Sequence, residues 1–228
     1  VCIRVDSAST RGRDSLGRHL EKMAGHPGIL VGTQMLAKGH DLPLLSFVGV
    51  VGVDEGLYSA DFRAPEKLAQ LLVQVSGRAG RSERAGTVLI QTQHPENPLL
   101  LELLHGGYRR FAQSAMAERQ CANLPPFSYM ALIRCESVHQ EASLQFLAEL
   151  SAILKSTINQ KQLNVHSSGG MPAPMPKRAG KSRWQLALTS SNRQTLQQLL
   201  SLTKDEIHQL KSARKVRWSI DIDPMDFS

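Results

Sequence analysis

The stretch Gln74–Arg81 carries side chains that could take part in phosphate chemistry. It reads Gln-Val-Ser-Gly-Arg-Ala-Gly-Arg, so Arg78 and Arg81 lie three residues apart. Arginine presents a planar fork that pairs with two phosphate oxygens at once, and its charge can stabilise phosphoryl transfer. Glycines here leave room for a backbone to approach a ligand closely. Taken alone, the stretch could equally be an arginine-rich surface loop.

A second candidate, Thr33–Asp41, follows an apolar run that ends at Gly32. It reads Thr-Gln-Met-Leu-Ala-Lys-Gly-His-Asp. Polar residues just past the carboxyl end of a strand lie where α/β folds place their ligands. An ordinary strand-to-helix loop would be the simpler interpretation of this segment alone. The Gln74–Arg81 stretch, at the next helix-to-strand junction, favours a shared site.

Unbroken apolar runs alternate with a helical pattern in the first part of the chain. The runs predict buried strands of a parallel sheet at Ile29–Gly32, Phe47–Val53 and Gly86–Thr92. Between the last two, Glu66–Val75 places Leu68, Leu71, Leu72 and Val75 at helical spacing. The alternation predicts an α/β domain over residues 1–98, followed by a helical connector over 99–125.

Residues 126–228 predict a smaller α+β domain with the order β-α-β-β-α-β. The predicted strands are Tyr129–Cys135, Leu163–His166, Trp184–Thr189 and Val216–Ile222. The predicted helices are Gln140–Ile158, with Leu144, Leu147, Leu150 and Leu154 facing inward, and Asn192–Leu210. A Pro/Gly/Lys-rich loop is predicted between His166 and Trp184, and it includes the segment 174–183.

The composition favours a folded protein with a polyanionic partner. Lys and Arg total 27 against 20 for Asp and Glu, a net charge of +7, which suits nucleic acid or an acidic peptide. The 3 cysteines have no C-x-x-C spacing, so we expect no metal site and a reducing compartment. No stretch is long enough to span a bilayer. The chain opens on strand-like residues without an initiator Met, and we expect it to be part of a longer protein.

Together these motifs resemble motifs V and VI of superfamily 2 helicases. The resemblance is closer to the primosomal protein N′ (PriA) family of replication-restart helicases, and it covers essentially the whole chain. The matching segments are Ile29–His40, Ser59–Arg63, Gln70–Arg81, Gln91–Pro95, Leu124–Phe127, Pro174–Gln185 and Asp221–Pro224.

The resemblance implies a RecA-like helicase lobe 2, a parallel sheet with flanking helices, followed by a ferredoxin-like C-terminal domain. It implies an ATP-dependent 3′-to-5′ DNA helicase, a hydrolase that recognises branched DNA and restarts DNA replication by primosome assembly. The expected partners are branched and single-stranded DNA, single-stranded DNA-binding protein and other primosome proteins, with no membrane. The expected location is the bacterial cytoplasm, at the nucleoid.

Site residues follow from the same resemblance. Those that match the catalytic part of motif VI are Gln74, Arg78 and Arg81, and those that match the ATP side of motif V are Gly39 and Asp41. Those that match its DNA side are Thr33, Gln34 and Lys38. ATP and Mg²⁺ are implied for the complete protein, and zinc for a cysteine-rich insertion that this chain lacks. Because the Walker A/B lobe is also missing, we expect no ATP hydrolysis by this chain alone.

Two sequence features resemble nucleotide sites and are rejected. Asp54-Glu55 resembles a Mg²⁺-binding acidic box, but it falls between motifs V and VI. Gly180-Lys181-Ser182 resembles the end of a P-loop, but Met175 stands where the first glycine is needed.

The C-terminal domain offers two further candidate sites. The cations Lys177, Arg178, Lys181 and Arg183 suit a DNA backbone, with Trp184 either stacking on a base or packing in the core. Asn192 can cap the next helix, which would place Arg193 and Gln197 on one face as a carboxylate-binding spot. The family resemblance implies the acidic tail of single-stranded DNA-binding protein as the ligand of that spot. The alternative function is a non-catalytic DNA- and protein-interaction module.

Overall fold

The computed structural model describes residues 2–5, 17, 26–33, 45–79 and 86–227. The chain divides into two compact units. The first unit comprises Val1–Tyr58 and Pro65–Tyr108, and the C-terminal unit comprises Ser59–Ala64 and Arg109–Ser228. The predicted bounds at residues 98 and 125 divide the chain differently, since the observed boundary falls inside the predicted connector.

The first unit combines parallel strand pairs with helices, which makes it α/β. Strand β1 (Cys2–Val5) pairs in parallel with β2 (Ile29–Gly32), and β3 (Phe47–Val50) pairs in parallel with β4 (Thr87–Ile90). The helices are α1 (Asp54–Leu57), α2 (Ala64–Ala79) and the part of α3 (Pro98–Cys121) that precedes Arg109. Gly107 interrupts α3 with φ 73° and ψ 178°, a conformation that favours glycine.

The strands of the first unit are more exposed than their apolar sequences predict. Ile29 is 64% exposed, Phe47 55% and Leu89 59%. A pair of parallel strands is buried only where helices cover both of its faces. The prediction that these strands are fully buried is therefore wrong. Helix α2 does bury Leu68 and Val75, as its periodicity predicts.

The C-terminal unit confirms the predicted β-α-β-β-α-β order. Its elements are β5 (Tyr129–Ser137), α4 (Gln140–Lys161), β6 (His166–Arg178), β7 (Lys181–Ser190), α5 (Arg193–Gln209), a 3₁₀ turn (Ser212–Lys215) and β8 (Arg217–Ile222). The four strands form one antiparallel sheet with the order β6-β7-β5-β8. Helices α4 and α5 therefore each connect strands that run in the same direction.

The predicted loop between His166 and Trp184 is mostly strand, which corrects the sequence prediction. The predicted strand Leu163–His166 is wrong before His166, because β6 begins only there. Strand β6 continues to Arg178, and a two-residue turn at Ala179 and Gly180 (φ 49° and 77°) leads directly into β7. Three alternate prolines, Pro172, Pro174 and Pro176, lie within β6. They are tolerated because β6 is an edge strand, where a missing N–H need not interrupt a ladder.

Side chains from α4, α5 and one face of the sheet form the core of the C-terminal unit. Phe146, Leu150, Leu154 and Leu199 are fully buried within it. Leu144 is 40% exposed, so its predicted inward position is wrong. The buried stripe of α4 passes through Ser143, Leu147, Leu150 and Leu154, and Leu144 lies beside that stripe. None of the described helices is both long and apolar enough to cross a bilayer.

Candidate functional site

Helix α2 carries two of the predicted catalytic residues. Gln74 and Arg78 lie four residues apart on it, which places them on neighbouring turns of one helical face. Gln74 is exposed, whereas Leu72 and Val75 are buried. The helix is thus anchored by its apolar side and presents Gln74 to solvent.

The other predicted nucleotide-site residues are only partly covered by the structure. Thr33 follows β2 directly and is exposed. Arg81, Gly39, Asp41, Gln34 and Lys38 lie outside the described residues. Their assignments remain predictions from the sequence.

The two ends of the segment that contains Arg81 approach each other closely. A Cβ added to Gly86 would lie 2.7 Å from the carbonyl carbon of Ala79 and 2.8 Å from its Cβ. Ala79 ends α2 and Gly86 precedes β4, so residue 86 must be glycine for the two backbones to meet. Residues 79 and 86, which flank the segment 80–85, therefore lie close together.

We expect Gly86→Ala to lower the free energy of unfolding by about 1–3 kcal/mol, the usual cost of overpacking. Gly77→Ala is the matched control, since an added Cβ there meets nothing within 4 Å. In a helix, that change should be neutral or stabilise by about 0.5–1 kcal/mol. Urea unfolding followed by circular dichroism compares the free energies of unfolding of the two variants. Equal stability of the two variants would contradict the close approach.

The predicted DNA-binding cations gather at one end of the C-terminal sheet. Arg178 pairs in register with Lys181 across the turn, and Arg183 pairs with Glu136 of β5. On the other side of β5, Glu136 pairs with Arg217 of β8. We call this group the basic end; it consists of Lys177, Arg178, Lys181, Arg183, Lys215 and Arg217.

Two members of the basic end were missed by the sequence prediction. Lys215 lies beside β5, because its carbonyl accepts a hydrogen bond from Ser137 Oγ at 3.4 Å. Arg217 begins β8. The available signal was the basic run Lys-Ser-Ala-Arg-Lys-Val-Arg at residues 211–217, whose position in the sheet depends on strand pairing.

Glu136 lies among these cations and organises them. Its Oε1 is 3.0 Å from Lys181 Nζ and 3.7 Å from Arg217 Nη1. The hydrogen bond from Lys181, followed by the nearby positive charges, lowers the pKa of Glu136. Since that pKa is depressed by folding, the pairs stabilise at pH above the unfolded pKa and their contribution disappears as pH falls through the folded one.

Trp184 belongs to the core and not to the basic end. It is partly buried against the hydrophobic cluster of the C-terminal unit, and its Nε1–H donates to Ser182 Oγ at 2.9 Å. Because its ring packs against the core and its N–H already has an acceptor, Trp184 is better suited to packing than to base stacking.

Arg193 and Gln197 are both exposed on α5, as predicted. Asn192 caps the helix, with its Oδ1 accepting from the N–H groups of Gln194 at 2.8 Å and Thr195 at 3.2 Å. Arg193 Nη2 lies 3.3 Å from Asp223 Oδ2. The guanidinium already pairs with a carboxylate of its own chain, so an incoming acidic group would compete with Asp223.

The rejected acidic box has a structural role within the first unit. Asp54 accepts hydrogen bonds from Thr92 Oγ1 at 2.5 Å and from the N–H of Gln93 at 2.9 Å. The bond from Thr92, and then that from Gln93, lowers the pKa of Asp54. Among the described residues, no group of three or more His, Cys, Asp or Glu side chains is placed to hold a metal ion.

The chain is similar to known proteins over nearly its whole length. Residues 120–225 match the family model of the primosomal protein N C-terminal domain. The chain is 42% identical to the replication restart protein PriA of Haemophilus influenzae over 227 residues, which is 99% of this chain and 30% of that protein. The match lies in the C-terminal part of that protein.

Two further relatives carry the same name. The replication restart protein PriA of Synechocystis is 37% identical over 81% of this chain, and that of Bacillus subtilis is 31% identical over 97%. The chain covers 22% and 27% of these two proteins. It therefore spans less than a third of the length of each of the three relatives.

Proposed function

Because this chain belongs to the PriA family of replication restart proteins, as a piece from their C-terminal part, we propose that it acts within an ATP-dependent 3′-to-5′ DNA helicase. In this proposal the complete protein recognises branched DNA and restarts replication by assembling the primosome in the bacterial cytoplasm. The first unit supplies one side of the ATP site, as part of a RecA-like lobe, and the C-terminal domain supplies a DNA contact.

One structural observation carries the ATPase part of the proposal. Helix α2 is anchored by buried leucines and bears Gln74 and Arg78 on consecutive turns. Arg81 follows this helix in sequence, and Ala79 at the helix end lies close to Gly86, which precedes β4. Gln74 and Arg78 on one helix, with Arg81 three residues further along the sequence, support a site for the phosphates of a nucleotide, because arginine pairs well with phosphate oxygens.

ATP would be held by Gln74, Arg78 and Arg81 from this side, with Gly39 and Asp41. When bound with Mg²⁺, it supplies the phosphoanhydride bond whose hydrolysis releases free energy. The residues of this chain bind and orient the phosphates. Zinc, if the complete protein carries it in a cysteine-rich insertion, has no ligand set among the described residues.

ATP hydrolysis by the complete protein tests this function. We expect forked DNA to stimulate hydrolysis, and we expect the present chain alone to have no activity. The competing proposal is a non-catalytic interaction module, which the concentration of positive charge at the basic end favours. A complete protein that binds forked DNA but hydrolyses no ATP would support the module.

The basic end is the proposed DNA contact of the C-terminal domain. Lys177 and Arg178 are exposed at the end of β6, and Lys215 and Arg217 are exposed beside the other edge of the sheet. Rows of cations that cross several strands can follow a phosphate backbone without reading its sequence.

We expect the double variant Lys177→Ala/Arg178→Ala in the complete protein to weaken binding of forked DNA at every sequence. The slope of log K against log salt should fall by about 1 for each phosphate that the variant no longer neutralises. Fluorescence anisotropy at several salt concentrations measures both quantities. Lys204→Ala, which removes an exposed lysine from α5, is the control. An unchanged salt slope in the double variant would exclude the basic end as a phosphate-binding surface.

Arg193 and Gln197 are the proposed contact for the acidic tail of single-stranded DNA-binding protein. Other primosome proteins are further proposed partners of the complete protein. The exposed guanidinium of Arg193 already pairs with a carboxylate of Asp223, which supports its use as a carboxylate site. Titration of an acidic tail peptide tests this. Equal affinity of Arg193→Ala and the wild-type protein would rule out the contact.

A further inference from the structure

The short segment Ser59–Ala64 belongs to the C-terminal unit, although it lies within the first unit in sequence. Asp61 is 7% exposed, and its N–H donates to Ser59 Oγ at 3.1 Å. Its carboxylate accepts from the N–H of Arg63 at 3.0 Å, and its carbonyl from the N–H of Ala64 at 2.8 Å. These bonds fix the tight turn at which α2 begins.

The end of the chain reaches this turn. After β8, Asp223 adopts the left-handed conformation (φ 54°) and its N–H donates to the carbonyl of Met130 at 2.9 Å. We call the residues Asp223–Phe227 the C-terminal strap. Pro224 is buried, and its carbonyl accepts a hydrogen bond from Arg63 Nη1 at 2.6 Å.

Aromatic packing adds a second contact between the strap and the turn. The rings of Phe62 and Phe227 meet edge to face, with centroids 5.7 Å apart and planes at 77°. The guanidinium groups of Arg63 and Arg119 lie 4.5 and 5.1 Å from the centre of the Phe62 ring. An edge-to-face pair of rings is attractive, and so is a guanidinium group over the face of an aromatic ring.

The strap is also fixed to the sheet. Arg134 of β5 donates from Nη2 to the carbonyl of Asp226 at 2.6 Å, and the same nitrogen is 3.1 Å from a carboxylate oxygen of Asp221. The strap therefore bonds to β5 through Arg134, and it contacts the Ser59–Ala64 turn through Phe62 and Arg63.

We propose that the strap is a positioning element for the Ser59–Ala64 turn and, through that turn, for the start of α2 at Ala64. The helix that bears Gln74 and Arg78 is continuous with the turn that the strap holds, so movement of that turn would displace the helix start. This inference rests on the proposed ATPase function, because α2 is taken there as one side of the ATP site. Phe227 is then a positioning residue that acts on nucleotide turnover through Phe62 and Arg63.

Phe227→Ala in the complete protein tests the inference. We expect amides of residues 59–70 to exchange with solvent at least about tenfold faster, because the aromatic contact no longer holds the turn. The kcat of DNA-stimulated ATP hydrolysis should fall about tenfold, while the KM for ATP and the affinity for forked DNA change less than about twofold. Phe227→Tyr, which keeps the ring, should restore both the exchange and kcat.

Met225→Ala is the matched control, since Met225 lies within the strap and is 77% exposed. It should leave exchange and kcat unchanged. Faster exchange in Phe227→Ala with an unchanged kcat would overturn the inference, and so would unchanged exchange. A wild-type protein without DNA-stimulated ATPase would contradict the proposed function, while the exchange of residues 59–70 would still decide whether the strap holds α2.

Discussion

Replacing Arg81 with alanine in the complete protein is expected to lower the kcat of DNA-stimulated ATP hydrolysis by about three orders of magnitude or more. On the proposed function, Arg81 stabilises charge that develops on the transferred phosphoryl group. Such an interaction is stronger in the transition state than in the ground state, so kcat should fall while the KM for ATP changes little. Steady-state kinetics with saturating forked DNA measures both constants.

Two variants sharpen this experiment. Arg81→Lys keeps the positive charge but not the planar fork, so we expect it to recover only part of the activity. Arg110→Ala removes an exposed arginine from α3 and should behave as the wild-type protein. A fall of less than about tenfold in Arg81→Ala would exclude an arginine-finger role and would favour the interaction module.

Phe146→Ala is expected to lower the free energy of unfolding of the C-terminal unit by about 3–5 kcal/mol. Phe146 is 0% exposed at the centre of the core, and its ring centroid lies 5.7 Å from that of Trp218. Removing the ring eliminates its burial and leaves a cavity that neighbours fill only in part. Because both of the chain's tryptophans, Trp184 and Trp218, lie in this unit, urea unfolding followed by tryptophan fluorescence reports on it.

Leu144→Ala is the control on the same helix. Leu144 is 40% exposed, so its removal should cost less than about 1.5 kcal/mol, well below the cost of a buried leucine. Equal destabilisation in the two variants would mean that the buried stripe of α4 is placed incorrectly. The comparison therefore tests the exposure of Leu144 as well as the burial of Phe146.

The fold of the C-terminal unit could be predicted because its signals are local. The helical spacing of leucines in α4, and the cap at Asn192, are properties of neighbouring residues. Strand β6 could not be predicted at full length, because alternate prolines argue against a strand unless it is known to be an edge. That knowledge requires the strand order, which depends on pairing between distant segments.

The candidate site could also be predicted only in part from the sequence. Gln74 lies in the helix that apolar periodicity predicts over Glu66–Val75. The structure confirms that helix and extends it to Ala79, so that it also includes Arg78. The basic end gains Lys215 and Arg217 only through the register of β5 with β8. The meeting of Arg63 with Pro224 joins residues 161 positions apart, and a single sequence contains no signal for such a contact.

The alternate prolines of β6 also bear on how copies of this chain behave at high concentration. A strand of 13 residues at a sheet edge would normally offer another chain a long template for pairing, which leads to aggregation. Pro172, Pro174 and Pro176 provide no N–H at three alternate positions, so an incoming strand cannot complete a regular ladder there. The same residues that make the strand hard to recognise in the sequence thus oppose aggregation through this edge.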